Sequence, residues 1–500
     1  MNDPFGVCDL IHNASSSSTH PPSSVSSSRQ CTTTTGDSFA SAPGGVVIHR
    51  LKGAILAAGG DDASTTTTGP SSLADWTVGH YEVRPPDAGV VLGMAAGIFA
   101  QLLFGVAFAA VIYRTLSPRS RCGGGVGSNK SNGGDGSGGG GGDDDGRTTN
   151  RTTRLAIGTT LILSSILLPY ALISLLAIEN SASRFAVCSS FVLYLFRTLE
   201  AYFGFVPPGA ARSFNVYAAY FALPFDMSFD ANTSEPIMAT RDDIRAGRKR
   251  AMSDVATIIL LCSFLSPFDY APFGSLSGDR GAEEELGLLH WRHLGDCLVI
   301  AFFFQQGLSV SFSVFGIAVQ STLGYRCTPM MKSPILEATS PSDFWGRRWN
   351  VLVHAAMKRG MYKPVRRRTN SPLVASLAVF VASGVFHEWL VHACFLYGRQ
   401  HDNHRRDGGG VRIGSQAAFF VWNFGVVAME GMILDHRGCE KVSNFGRRVV
   451  PGWMVPPLIV MTSLPVAHWF RDPYMNGGFF SDYESCFPMI IRKVVANVAR

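Results

Sequence analysis

His387 lies within Val381-Ala-Ser-Gly-Val-Phe-His387-Glu-Trp389, in the middle of an apolar run from about Ser371 to Leu396. Imidazole takes up and releases a proton near neutral pH, so this is the residue type for general base work. A run of that length is a membrane-span candidate. At ~1.5 Å rise per residue, His387 sits ~20–25 Å from its start. Ionisable groups at such depth usually face a protein interior or a watery cavity. Ser383 and Gly384, four and three residues earlier, share its face. That face suits either tight helix packing or a passage leading to the imidazole. Taken alone, the helix accommodates a satisfied core histidine equally well.

A second set of candidates lies upstream, in the loop from Leu323 to Asn370, the most basic region of the chain. It contains Asp343-Phe-Trp-Gly-Arg-Arg-Trp-Asn350 and ends in Tyr362-Lys-Pro-Val-Arg-Arg-Arg368. Arg347, Arg348, Lys358, Arg359 and the cluster Arg366, Arg367 and Arg368 suit the phosphates of a nucleotide-bearing acyl donor. Asn350 offers an acceptor and two donors. The alternative is an interfacial belt of Phe344, Trp345 and Trp349 flanked by arginines that mark the cytosolic side.

The two motifs, in this order within a polytopic chain, closely resemble the membrane-bound O-acyltransferase superfamily. The nearest likeness is to plant-type wax synthases, which are long-chain-alcohol O-fatty-acyltransferases. It covers roughly Leu294–Phe470 well and the earlier helices loosely. This chain has Ser-Gly-Val-Phe-His-Glu where wax synthases more often read Ser-Gly-Leu-Met-His-Glu, an apolar-for-apolar change. The resemblance implies that His387 is catalytic and that Asn350 is its polar partner. It implies acyl-CoA as co-substrate with no bound cofactor, a fatty alcohol as acceptor, and an endoplasmic reticulum membrane. Substrate contacts are then expected at Arg347, Arg348, Trp349, Arg366, Arg367 and Arg368. Esterification fits such a site, since it needs a base for the hydroxyl proton, donors for the oxyanion and a dry cavity. Acyl transfer to a sterol or diacylglycerol is the alternative. A transporter, with His387, Glu430, Arg197 and Glu200 as a proton path, is a third reading; the internal repeat common in transporters is missing.

No metal site is expected. His387 and His392 are five apart and point ~140° away from each other on a helix, unlike the i,i+4 pair of zinc proteases. The tract His401–Asp407 reads as a charged surface loop. Ten cysteines are scattered singly, without the paired spacing of a zinc ribbon or disulfide framework.

These residues need a membrane scaffold to position them. Of the 500 residues, 46% are hydrophobic and only 16% charged, and mean hydropathy is +0.15. The apolar residues come in blocks, so the expected fold is all-α and polytopic, with about eight transmembrane helices. The spans are read near 89–113, 155–178, 185–206, 255–273, 294–320, 371–396, 415–434 and 454–470. The third carries Arg197 and Glu200 on one face, and the seventh Asn423 and Glu430. A half-apolar stretch from Arg212 to about Asp230 is expected at the interface.

Residues 1–85, rich in Ser and Thr, read as a disordered segment. Residues 86–500 form the membrane-embedded domain, with a Gly-rich flexible insert at 122–146. The net charge of +6 gathers in loops, which points to topology and anionic ligands rather than nucleic acid. Basic clusters at 114–154, 241–250, 324–368 and 437–448 occupy alternate loops, and the acidic 279–285 loop falls opposite. Both termini are therefore expected in the lumen. Oligomeric state is not legible here.

Overall fold

Long apolar helices dominate the computed structural model, which describes residues 81–116, 144–274, 287–398, 412–435 and 451–492. The N-terminal segment up to residue 80, most of the 122–146 insert, and the 279–285, 401–407 and 437–448 stretches lie outside the described residues. A short strand β1 (Tyr81–Arg84) takes in the end of the segment read as disordered. It pairs antiparallel with β2 (Met489–Arg492), and the Arg84 guanidinium meets the Glu484 carboxylate at 2.9 Å.

The helices in chain order begin with α1 (Ala88–Thr115), α2 (Asp144–Leu175), α3 (Ser181–Phe203) and α4 (Phe214–Ala222). Then come α5 (Arg241–Leu265), α6 (Trp291–Thr322), α7 (Val351–Met357), α8 (Lys363–Thr369) and α9 (Pro372–Val391). The last are α10 (Ser415–Asp435), α11 (Val455–Met461), α12 (His468–Asn476) and α13 (Phe479–Glu484). Local chemistry explains several starts. Asp87 accepts from Gly89 and Val90 at the head of α1, and Thr240 forms a reciprocal capping box with Asp243 at α5. Ser371 caps α9 ahead of Pro372, whose missing N–H costs nothing in the first turn.

Among the described residues, six helices are long and apolar enough to cross a membrane. A pair bent by 60°, Gly452–Val466 with His468–Asn476, raises the count to as many as seven. The expected eighth is α3, which is too polar to qualify by itself. It is an interior helix, with Arg184, Arg197, Thr198 and Glu200 all buried against protein rather than lipid. A helix walled in on every side can carry polar groups that a lipid-facing one cannot.

Arg197 donates to the backbone carbonyls of Phe221, Leu223 and Phe225, so it fastens the chain that follows α4. Helix α4 is packed into the core along one face, with Tyr217, Tyr220 and Phe221 buried in the cluster built on α1 and α3. Helices α5 and α6 pair through Asp254, which accepts from Gln306 Nε2 at 3.2 Å and Ser309 Oγ at 2.8 Å.

Candidate active site

Helix α9 carries His387, and its packing against α10 decides what the imidazole faces. A Cβ on Gly384 would stand 2.7 Å from Ala417 Cα, so the two backbones touch there and no larger residue fits. Ser383, next to it, lines a cavity instead. The small-residue face thus does both jobs foreseen for it, one residue each. Glu388 accepts from the backbone N–H groups of Gln416 at 2.8 Å and Ala417 at 3.2 Å. A carboxylate satisfies the free donors of a helix start and complements its dipole, so Glu388 sets the register between α9 and α10.

The His387 ring stacks on Phe420 at 4.8 Å and meets Phe470 edge-on at 5.1 Å. Its Nδ1 is buried and has no hydrogen-bond partner among the described residues. Leaving a buried polar atom unmade costs about 1–3 kcal/mol, and such an atom in a native site calls for a functional reason.

Asn350 approaches from the basic loop. It takes up a left-handed backbone conformation (φ 44°) that Asn tolerates better than most residues. Its Oδ1 caps α7 by accepting from Val353 N at 3.2 Å, and its own N–H points at Met331 Sδ, 3.3 Å away. The carbonyl end of the amide is therefore committed, and the Nδ2 donors are what Asn350 has left to offer.

His387 and Asn350 line the same two cavities. One is small, about 80 Å³, with Ser342, Gly346, His354 and Ser383 in its wall. The other is about 480 Å³ and largely apolar. Trp345, Trp349, Val353, Phe386 and Phe420 belong to both, so the histidine stands at their junction. Helix α6 contributes wall residues to the large cavity from Cys297 to Phe315. The eighteen steps of helix between them rise ~27 Å, so the cavity is drawn out along the bundle.

Three fastenings hold the loop in place. Glu430 accepts from Ser342 N at 2.7 Å and Ser342 Oγ at 3.0 Å. Asn423, fully buried, accepts from Trp345 Nε1 at 3.2 Å and Ser463 Oγ at 2.6 Å. These contacts give the polar stripe of α10 a role that spacing alone left open. Finally, Arg348 bridges Asp343 at 2.7 Å and Glu337 at 2.8 Å. Burial opposes the Asp343 charge, but the Thr339 N–H and the Arg348 guanidinium outweigh it and hold that carboxyl below its ordinary pKa.

The expected substrate-binding residues separate into groups. Trp349 is in the wall of both cavities, stacked on Phe344 at 5.6 Å. Arg348 is committed within the loop, whereas Arg347, Arg367 and Arg368 are exposed. Arg366 is half-buried, and its Nη1 is buried without a hydrogen-bond partner. None of these five arginines lines either cavity that His387 lines. Arg359 is spoken for: its Nε donates to Glu200 at 2.8 Å and its Nη2 to the Tyr220 hydroxyl at 3.0 Å.

Sequence reasoning passed over His354, one turn after Asn350 and in the small cavity's wall. Burial, with the charges of Lys358 and Arg359 behind it, lowers its pKa to about 3, so it stays neutral. Its i+4 spacing from Asn350 was the available signal.

Residues 327–406 match the membrane bound O-acyl transferase family. The probable long-chain-alcohol O-fatty-acyltransferase 3 of Arabidopsis thaliana is 41% identical over 190 residues, 36% of this chain and 48% of that protein. The long-chain-alcohol O-fatty-acyltransferase of Simmondsia chinensis is 33% identical over 103 residues, 19% of this chain and 29% of its own. An acyl-CoA–sterol O-acyltransferase of Arabidopsis thaliana is 33% identical over 87 residues, 16% of this chain and 25% of its own. The chain thus spans less than half the length of each relative. The family match over 327–406 contains both motifs.

Proposed function

We propose that this multi-pass member of the membrane bound O-acyl transferase family transfers a fatty acyl group from acyl-CoA to a long-chain alcohol, making a wax ester in the endoplasmic reticulum membrane. The observation that carries the reading is the meeting of His387 and Asn350 on the shared wall of two cavities. A two-substrate transfer needs such a junction, because the acceptor hydroxyl and the thioester carbon must meet beside one base.

His387, in its neutral form, takes the proton from the alcohol oxygen as that oxygen attacks the thioester carbon. The C–O bond forms, the carbonyl oxygen becomes an oxyanion, and the Asn350 Nδ2 group donates to it. The C–S bond then breaks, the carbonyl reforms, and the CoA sulfur leaves with the proton held by His387. The aromatic packing of the imidazole keeps bulk water from competing with the alcohol. Exposed Arg347, Arg367 and Arg368, with half-buried Arg366, are the cations available to the CoA phosphates.

The shape of the large cavity supports a linear acceptor. A volume of about 480 Å³ falls within the usual range for one bound lipid-sized molecule. Drawn out along ~27 Å of α6, it suits an extended alkyl chain better than a rigid, plate-like sterol. Membranes from cells expressing the chain, supplied with labelled acyl-CoA and equal hexadecanol, sterol and diacylglycerol, provide the test. Wax ester should dominate the products. Steryl ester or triacylglycerol in excess would refute the acceptor and leave the His387 chemistry standing.

A further inference from the structure

A third cavity, of about 350 Å³, lies away from His387, between the charged end of α5, the last turns of α6 and the segment 326–331. Arg250 and Arg326 stand in its wall. Arg250 closes the basic stretch Arg241–Arg250 and has no hydrogen bond or ion pair among the described residues. Arg326 is 3.4 Å from the Asp243 carboxylate. In the same wall, Gln320 is 8% exposed, and its Oε1 is buried without a hydrogen-bond partner among the described residues. Two guanidinium groups and the Asp243 carboxylate therefore stand around one space, with the unbonded Gln320 oxygen buried in its wall.

The position of this cavity along the helices is informative. Helix α5 is charged from Arg241 to Arg250 and apolar from about Val255 onward, and the cavity opens on its charged part. That is the level at which a span leaves the hydrocarbon and meets lipid headgroups. Basic pockets between membrane helices at this level bind anionic headgroups. The phosphate of such a lipid would answer both arginines, while Gln320 Oε1 requires a donor that a phosphodiester lacks.

We propose that this cavity binds an anionic phospholipid whose headgroup combines a phosphodiester with free hydroxyl groups, the phosphate on Arg250 and Arg326 and a hydroxyl donating to Gln320. The same site communicates with the reaction chamber by contact. Met331 lines it and takes the Asn350 N–H on its sulfur, and Phe312 lines both this cavity and the large one. Binding would therefore steady the segment that holds Asn350.

The test uses the full chain purified in detergent, with bound lipid counted by native mass spectrometry. Phosphatidylinositol is the probe, phosphatidylcholine the neutral comparator and phosphatidic acid the anionic lipid without a headgroup alcohol. Wild type should retain phosphatidylinositol over both, and Arg250→Ala with Arg326→Ala should retain it about tenfold less or lower. Equal retention by that double variant, or equal retention of phosphatidylcholine by wild type, overturns the proposal. Gln320→Leu leaves the charge unchanged and should erase the preference for phosphatidylinositol over phosphatidic acid; a preserved preference overturns the hydroxyl contact even where the double variant fails to fold. Displacement of the lipid by soluble inositol phosphate at equal concentration would make the ligand a free phosphate ester and refute the lipid assignment.

Discussion

Glu200 on α3 and His387 on α9 are both polar residues within helices packed by aromatic side chains, yet their surroundings differ at every contact. Each Glu200 oxygen is engaged, one by the Tyr220 hydroxyl at 2.6 Å and the other by Arg359 at 2.8 Å. Arg197, one turn away, spends its terminal nitrogens on three carbonyls and lies over the Tyr220 ring at 4.7 Å. Around His387 the neighbours are rings, and Nδ1 is left without a bond among the described residues. In the first arrangement both carboxylate oxygens are answered by protein and only the Arg197 Nε is left unbonded among the described residues, so the network serves the fold. The second leaves its chemistry available to something that is not protein.

The largest consequence falls on the first network. Glu200→Leu leaves the Arg359 guanidinium with only the more distant Asp226 carboxylate, at 3.8 Å, and removing one partner of a buried pair costs about 3–5 kcal/mol. The variant should accumulate poorly and melt well below wild type. A variant that accumulates and melts normally would show that the network does not support the fold. Next comes Asn350→Ala, which removes a donor from the open site. A loss of about 10²–10³ in kcat is expected, with a stability loss of about 2–3 kcal/mol from the lost cap of α7 and the left-handed backbone that Ala resists. A large fall in Tm with little change in kcat would move Asn350 to the structural side.

His354 sharpens the contrast through pH. Its folded pKa is near 3 against 6.5 for a free imidazole, so the unfolded chain binds the extra proton between those values. Stability should be complete above pH 6.5 and fall as pH is lowered toward 3. His354→Gln should flatten that slope in a thermal melt series; an unchanged slope counts against the assignment. The smallest effects separate two adjacent arginines. Arg348→Ala loses two ion pairs and should lower Tm by the equivalent of ~1 kcal/mol. Arg347→Ala should leave Tm alone and raise KM for acyl-CoA in a salt-dependent way. The reverse pattern would exchange their roles.

Much of this was legible in sequence because period and depth carry the information. The α9 run, the position of His387 within it and the basic loop with Asn350 could all be read from spacing. The surroundings of α3 were not legible, because a polar group in an apolar run looks the same in sequence whether it lines a cavity or meets a carbonyl elsewhere in the chain. The partners of Arg197 are 24 to 28 residues away and those of Glu430 are 88 away, distances at which no periodicity helps. For the same reason Arg348 and Arg359 resembled free cations until Asp343 and Glu200 were found beside them.

His387 Nδ1, unbonded among the described residues, is kept so for chemistry rather than for packing. The most direct measurement is ester formation from labelled acyl-CoA and hexadecanol by His387→Ala, with membrane accumulation and Tm taken on the same preparation. Loss of a general base predicts about 10²–10⁴ lower turnover with accumulation and Tm near wild type. Near-normal turnover, or a collapse of the folded protein in place of a catalytic loss, would show that the imidazole serves packing and not the reaction.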